Sequence, residues 1–193
     1  MEPMLLKPVG KDYLWGGTRL KTEFNKDLDV NPLAESWECS VHPDGQSVVS
    51  NGDYKGRTLA DVLSEHPDYL GTKTDGELPI LAKFIDAKLD LSVQVHPDDE
   101  YAWVHEHQNG KSEMWYVLDA LPGASLVIGF AHDVTEVQLR DAIEARNLSK
   151  HLQKIPVKKG DIFFIPAGLG VCDRCRNIDC RDTGKLQRNL SCV

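Results

Sequence analysis

The apolar residues of this chain recur mainly at every second position, in short runs separated by turn residues, and that spacing commits most of it to β-strands. Trp37, Cys39 and Val41 alternate with Ser36, Glu38 and Ser40, as in a strand with one buried face. The SVVS run at 47–50 leads into Asn51-Gly52, a hairpin-type turn pair. Residues 78–97 read as two strands joined near Asp86 to Leu89. Glu113 to Leu118 and Ser125 to Phe130 read as a strand pair across Pro122-Gly123, and Ile155 to Val157 with Ile162 to Ile165 as a tight hairpin around Lys159-Gly160. Helical signals are fewer. Thr58 with Asp61 outlines a capping box for Leu59 to Tyr69, and Asp98 to His107 is acidic at its start, as a helix prefers. Asp133 or Thr135 caps a further helix expected to bury Val137, Ala142 and Ile143. This order predicts a mainly β fold, a sandwich or small barrel with a few inserted helices, rather than a parallel α/β sheet.

Composition narrows the function. The 193 residues suit one domain, and 30 Asp plus Glu against 22 Lys plus Arg give a net charge of -8. That balance argues against a general nucleic-acid or anionic-membrane binder, since both need a basic surface. It leaves room for a phosphorylated small molecule in a local cationic pocket. Apolar runs such as Ile162 to Ile165 fall far short of the roughly 18 residues needed to cross a bilayer. The start, MEPMLLKPVGKDY, lacks a cationic end followed by an apolar stretch, so a soluble, cytoplasmic protein is expected. Cys39 stands alone in the first 171 residues, as in a reducing compartment, whereas Cys172, Cys175, Cys180 and Cys192 crowd the last 22.

In the segment 91–96, alternation puts Leu91, Val93 and Val95 on one face and Ser92, Gln94 and His96 on the other. A solvent-facing strand with inert polar residues explains the same pattern. On the next strand Lys111, Glu113 and Trp115 project together. If both polar faces point inward, an amide oxygen, an imidazole and a carboxylate converge on one cation, a borderline-to-hard donor set suited to zinc, manganese or iron. The plain alternative for Glu113 is a surface carboxylate paired with Lys111. His105 and His107, two apart on a helix, point away from each other and read as solvated.

Gly160-Asp161-Ile162-Phe163-Phe164-Ile165-Pro166-Ala167-Gly168 resembles the second motif of the cupin superfamily, which places a histidine ligand three residues after the last glycine. Here that position is Val171. With DYLWGG at 12–17, ESWECSVHPDG at 35–45, DLSVQVHPDDEYA at 90–102 and GKSEMWYVLDA at 110–120, residues 1–168 resemble type I phosphomannose isomerases. The resemblance implies an incomplete cupin-type β-barrel or jelly roll and zinc-dependent interconversion of mannose 6-phosphate and fructose 6-phosphate through an enediol-like intermediate. It also implies Gln94, His96 and Glu113 as ligands of one divalent ion. Lys111 and Ser92 are candidates to contact the sugar phosphate, and no residue identifies itself as the proton-transferring base. Two other readings stay open: a cupin that binds sugar phosphate without turning it over, and a metal-dependent cupin oxygenase, against which Gln94 in place of a first histidine counts.

Residues 169–193 do not read like the rest. The tail has no periodic apolar pattern and no aromatic residue. Its C-x2-C-x4-C spacing superficially resembles a zinc or iron–sulfur site. The other reading is a shifted reading frame: codons compatible with every residue from Leu169 onward, read one base further on, can spell LVYAIGAGILIAEIQESSNVTYRVY. That string contains an alternating apolar strand and a TYRVY segment resembling the family's continuation with its catalytic arginine. The tail is therefore expected to be poorly ordered. A chain lacking the later strands is also expected to expose unpaired edges and apolar surface, with low solubility or low thermal stability as the measurable result.

Overall fold

The computed structural model describes residues 2–71, 78–107, 109–173, 177–184 and 190–192, with side chains described as far as Val171. The chain opens with β1 (Leu6–Lys7), β2 (Val9–Lys11) and the short helix α1 (Arg19–Thr22). β3 (Glu35–Cys39), β4 (Val48–Val49) and α2 (Leu59–Glu65) follow, then β5 (Ile80–Ala87), β6 (Val93–Val95) and α3 (Asp99–Glu106). Next come β7 (Glu113–Ala120), β8 (Ser125–Phe130), α4 (Glu136–Glu144), β9 (Leu152–Pro156) and β10 (Ile162–Ile165). β11 (Gly170–Asp173), β12 (Asn177–Gly184) and β13 (Leu190–Cys192) are the last.

Two antiparallel sheets form the body, one of order β10-β7-β12-β5-β3-β2 and one of order β13-β6-β11-β8-β9, with β1 and β4 paired apart. Among the described residues they do not close into a complete barrel. Alternation along β7 explains how the first sheet faces the second: Glu113, Trp115 and Val117 are buried while Met114 and Tyr116 are exposed. Trp115 meets Ile165 of β10, Leu126 of β8 and Val171 of β11 in the core between the sheets. Each such side chain contributes about 1.5–3 kcal/mol by leaving water. A second cluster, Leu20 and Leu33 with Phe84 and Leu118, covers the opposite face of the six-stranded sheet. A third, Val127 and Leu152 with Val93, covers the back of the other sheet.

The expected strands are present, yet their partners differ from the sequence reading. Glu113–Leu118 and Ser125–Phe130 were expected to pair; β7 instead pairs with β10 and β12, and β8 with β9 and β11. The strands flanking Lys159-Gly160 likewise belong to different sheets. In both places the turn carries the chain across the core, because Trp115 and Leu126 must bury their side chains against one another from opposite layers. At Asn51-Gly52 the chain does fold back, with Val49 N–H donating to Arg57 O at 2.9 Å.

Helix boundaries follow local chemistry. Thr58 Oγ1 accepts from Asp61 N–H at 3.1 Å to start α2, which ends at Glu65; Pro67 turns the expected continuation into a 3-10 turn over Pro67–Leu70. Asp98 caps α3 through Tyr101 N–H at 2.8 Å, and Thr135 with Gln138 completes a reciprocal box on α4. On α4 the expected buried face shrinks to Ala142, and Val137 is 67% exposed. The backbone of the tail supplies strands: β12 lies between β5 and β7, and β11 between β6 and β8. The tail cysteine side chains lie outside the described residues.

Asp86 holds the entry to α1. Its carboxylate accepts from Arg19 N–H at 2.7 Å, and Gly17 passes so close that a Cβ there would meet Asp86 Oδ2 at 2.3 Å. Burial pushes the Asp86 carboxyl above its ordinary value, with the Arg19 backbone N–H and guanidinium opposing. A carboxyl raised in the folded state stabilises fully below its ordinary value and loses that contribution as pH rises through the raised one. Asp86→Asn, neutral throughout, is therefore expected to gain stability relative to the parent as pH climbs through this window, whatever its constant offset. Urea midpoints from pH 3.5 to 7 measure it; parallel curves for the two proteins would contradict it.

Candidate functional site

His96 and Glu113 come from different sheets and meet in the space between them. His96 follows β6, Glu113 opens β7, and each is 2% exposed. His96 Nε2 stands 3.5 Å from Glu113 Oε2. That oxygen also accepts from the Trp115 indole N–H at 2.8 Å, while Lys111 Nζ lies 2.7 Å from Glu113 Oε1. Lys111 is 6% exposed, so the pair is internal and not the surface pair that the sequence also allowed. A carboxylate this deep requires such partners, since an unpaired one carries a large desolvation penalty.

Gln94 shares the inner face. In the register of the sheet it stands opposite Val171, whose side chain packs with Trp115 in the core, while its neighbour Val93 packs on the back cluster. The Gln94 amide nitrogen reaches Ser92 Oγ at 3.4 Å, which leaves the amide oxygen as the end a cation would take. Ser92 itself is exposed, at the rim. Of the five residues singled out from sequence, His96, Glu113 and Lys111 are in contact, Gln94 shares their face, and Ser92 is the outermost. His105 and His107 are exposed, as expected of solvated side chains.

Backbone contacts fix these positions. Gly168 N–H donates to His96 O at 2.7 Å and Lys111 N–H to Pro97 O at 3.0 Å. Ala167 N–H donates to Ser112 Oγ at 3.3 Å. Gly110 passes against the start of α3, where a Cβ would meet the Asp98 carbonyl carbon at 2.3 Å, so no other residue fits there without moving the Lys111 backbone. The Pro166-Ala167-Gly168 turn then delivers Val171 to the place opposite Gln94. The position faces the site as the motif implies, and its side chain is a hydrocarbon.

An imidazole and a carboxylate 3.5 Å apart, with an amide oxygen on the same face, suit a divalent ion of borderline hardness. Three protein donors and one open position is the usual arrangement at catalytic zinc. The residues present therefore fit one such ion.

Sequence reasoning missed a second polar group on the concave face of the six-stranded sheet. Lys83 Nζ is 3.1 Å from Glu35 Oε1, and the Trp37 indole N–H donates to Glu35 Oε2 at 2.6 Å. Lys83 and Trp115 both register with Arg181, one strand away on either side, which puts their backbones about 9–10 Å apart. The Glu-x-Trp spacing at 35–37 repeats that at 113–115 and was the available signal. Nearby, burial and then the charges of Glu35, Asp44 and Asp12 push the Tyr13 phenol up to about 12, so it remains a neutral donor at physiological pH.

Two facing antiparallel sheets with His96 and Glu113 meeting between them define a cupin-type fold. A finer assignment comes from comparison with known proteins. The family described as phosphomannose isomerase type I, catalytic domain, matches residues 4–124, and the chain belongs to that family. The mannose-6-phosphate isomerase of Streptococcus mutans is 43% identical over 167 residues, which are 86% of this chain and 52% of that protein. Mannose-6-phosphate isomerase ManA of Bacillus subtilis is 40% identical over 168 residues, 86% of this chain and 53% of that protein. The crystal structure of the mannose 6-phosphate isomerase from Bacillus subtilis superposes with a TM-score of 0.95 at 31% identity, covering 100% of this chain and 62% of that one. The chain spans about half the length of the curated relatives it matches.

Lys111→Ala, which leaves Glu113 buried without its ammonium, is expected to cost about 3–5 kcal/mol. Combining Lys111→Met with Glu113→Gln removes both charges and is expected to recover most of that loss. Urea unfolding in the presence of a chelator measures both. A loss under about 1 kcal/mol for the single variant would contradict the burial of this pair.

Proposed function

We propose that the chain carries the metal-binding part of an aldose–ketose isomerase that interconverts mannose 6-phosphate and fructose 6-phosphate, using one zinc ion held by Gln94, His96 and Glu113. The supporting observation is the meeting of His96 and Glu113 from opposite sheets, 3.5 Å apart and sealed from water, in a chain of the phosphomannose isomerase family. The reaction moves a proton between the two carbons flanking the carbonyl. When bound, the ion supplies polarisation of a substrate oxygen and stabilisation of the charge that develops there. Lys111 brings a point charge to the same volume, suited to a substrate oxygen or the phosphate. Lys83, held by Glu35 on the same face of the sheet, is a second candidate cation for the phosphate. Ser92 offers a hydroxyl at the rim. Closed surroundings of Glu113 exclude water and strengthen every charge interaction within.

A sugar-phosphate-binding cupin without turnover is favoured by one observation, the hydrocarbon of Val171 opposite Gln94. An oxygenase is the weaker alternative, given Gln94 and the family. The reading takes a small-molecule sugar phosphate as partner, with neither nucleic acid nor membrane, and places the protein in the cytoplasm. Among the described residues no helix is long and apolar enough to cross a membrane.

We further propose that residues 1–168 form the isomerase-like domain and that the tail after Gly168 is read from a shifted frame. Supporting this, the relatives align in sequence over 86% of the chain, while the Bacillus subtilis fold accommodates 100% of its backbone. The coding DNA decides it: a family-like peptide in the adjacent frame is expected, and its absence would overturn the reading.

Calorimetric titration with zinc is expected to show an ion whose affinity falls at least tenfold in Glu113→Gln and rises at least tenfold in Val171→His, which adds a fourth donor. Equal affinities in the three proteins would contradict the ligand assignment. A coupled assay of mannose 6-phosphate conversion on the zinc-loaded full chain separates the two readings: turnover supports the isomerase, and saturable binding without turnover supports the binding cupin.

A further inference from the structure

The chain leaves β8 at Phe130 and returns at Leu152, and the excursion between them carries α4 and a short 3-10 turn. Ala131 N–H donates to His151 O at 2.8 Å, so the neck of this excursion is already pinned by backbone. His132 and His151 stand at that neck, one exposed and one half-buried. His132 Nε2 lies 3.3 Å from His151 Nδ1, with ring centroids 5.2 Å apart and planes at 66°. Neither residue touches the site between the sheets.

Tautomer and distance both bear on what the pair can do. His132 Nδ1 is 3.0 Å from the Asp133 carbonyl oxygen. A carbonyl only accepts, so Nδ1 carries the proton and Nε2 presents its lone pair toward His151. A backbone carbonyl that fixes the non-ligating nitrogen is the usual support for a metal-bound histidine. At 3.3 Å the metal-free pair can share a weak hydrogen bond, with His151 Nδ1–H donating to His132 Nε2. The same gap equals the separation of about 3.3 Å between two nitrogens that each stand roughly 2.0–2.1 Å from one tetrahedral ion, which His151 would meet with its proton moved to Nε2.

We propose that His132 and His151 form a surface chelate for a nitrogen-preferring divalent transition metal such as zinc, nickel or copper. Among the described residues no third His, Cys, Asp or Glu completes a cluster there, so water takes the remaining positions. The ion clips residues 19 apart in sequence, closing the neck of the α4 excursion. It therefore stabilises the segment by linking its ends.

Nickel titration of the full chain, read by calorimetry and by tryptic cleavage within the excursion at Arg140, Arg146 and Lys150, tests this. One equivalent beyond the interior site is expected, with slower cleavage in its presence. His132→Ala and His151→Ala are each expected to weaken that equivalent at least tenfold and to abolish the protection. His66→Ala, on an unrelated surface, is expected to change neither. Far-UV circular dichroism confirms that the variants fold, and His132→Gln serves as a second variant of similar bulk. Undiminished binding and protection in the His132 and His151 variants would overturn the proposal.

Discussion

A carboxylate buried between two apolar sheets dictates how the rest of this molecule is arranged. Glu113 sits where water cannot reach it, so its two oxygens must be satisfied by side chains, and three supply that: the Lys111 ammonium, the Trp115 indole and the His96 imidazole. Each arrives by a different route. Trp115 shares the strand, Lys111 is aimed by the glycine before it, and His96 crosses from the opposing sheet. Correct placement of the sheets and correct pairing of the charge are one condition, because the approach of the layers that buries Glu113 also brings His96 to it. The same group of atoms thus links packing to chemistry: what makes the carboxylate tolerable in the core also makes it a strong ligand and a strong field source in a medium of low dielectric.

Much of this arrangement is legible in the chain itself. Period-two alternation locates the strands, and QVHP with GKSE locates donors on inward faces. Local rules fail at partnership. Pro122-Gly123 and Lys159-Gly160 have the chemistry of tight turns, and a turn that joins neighbours in one sheet looks the same as one that steps across a core. Which of the two occurs depends on side chains far away in sequence, here Trp115, Leu126 and Ile165. Val137 shows the converse error. Its spacing suits a buried helix face, yet α4 caps a surface excursion and offers the core only Ala142. Lys83 and Glu35 are invisible for another reason. Each looks like an ordinary charge on a half-exposed strand until the concave face closes over both.

Val171 connects the pocket with the tail. The strand that carries it has the right register, directly opposite Gln94, so backbone geometry brings a fourth position to the site while the residue there cannot donate. The proposed frame shift near Gly168 implies a tyrosine rather than the motif's histidine at this position, as the adjacent-frame string LVYAIG shows. It leaves the upstream donors intact and replaces only the residues downstream of the shift. The backbone of β11 runs between β6 and β8 and that of β12 between β5 and β7, so the tail adds a strand to each sheet.

The most direct measurement of the central claim is X-ray absorption at the zinc edge on the chain loaded with a single equivalent of zinc. The account predicts a first shell of nitrogen and oxygen alone at roughly 2.0–2.2 Å, with imidazole outer-shell scattering that disappears in His96→Ala. A shell dominated by sulfur at about 2.3 Å would place the ion on cysteine, and a spectrum unchanged by His96→Ala would remove it from the space between the sheets; either contradicts the account.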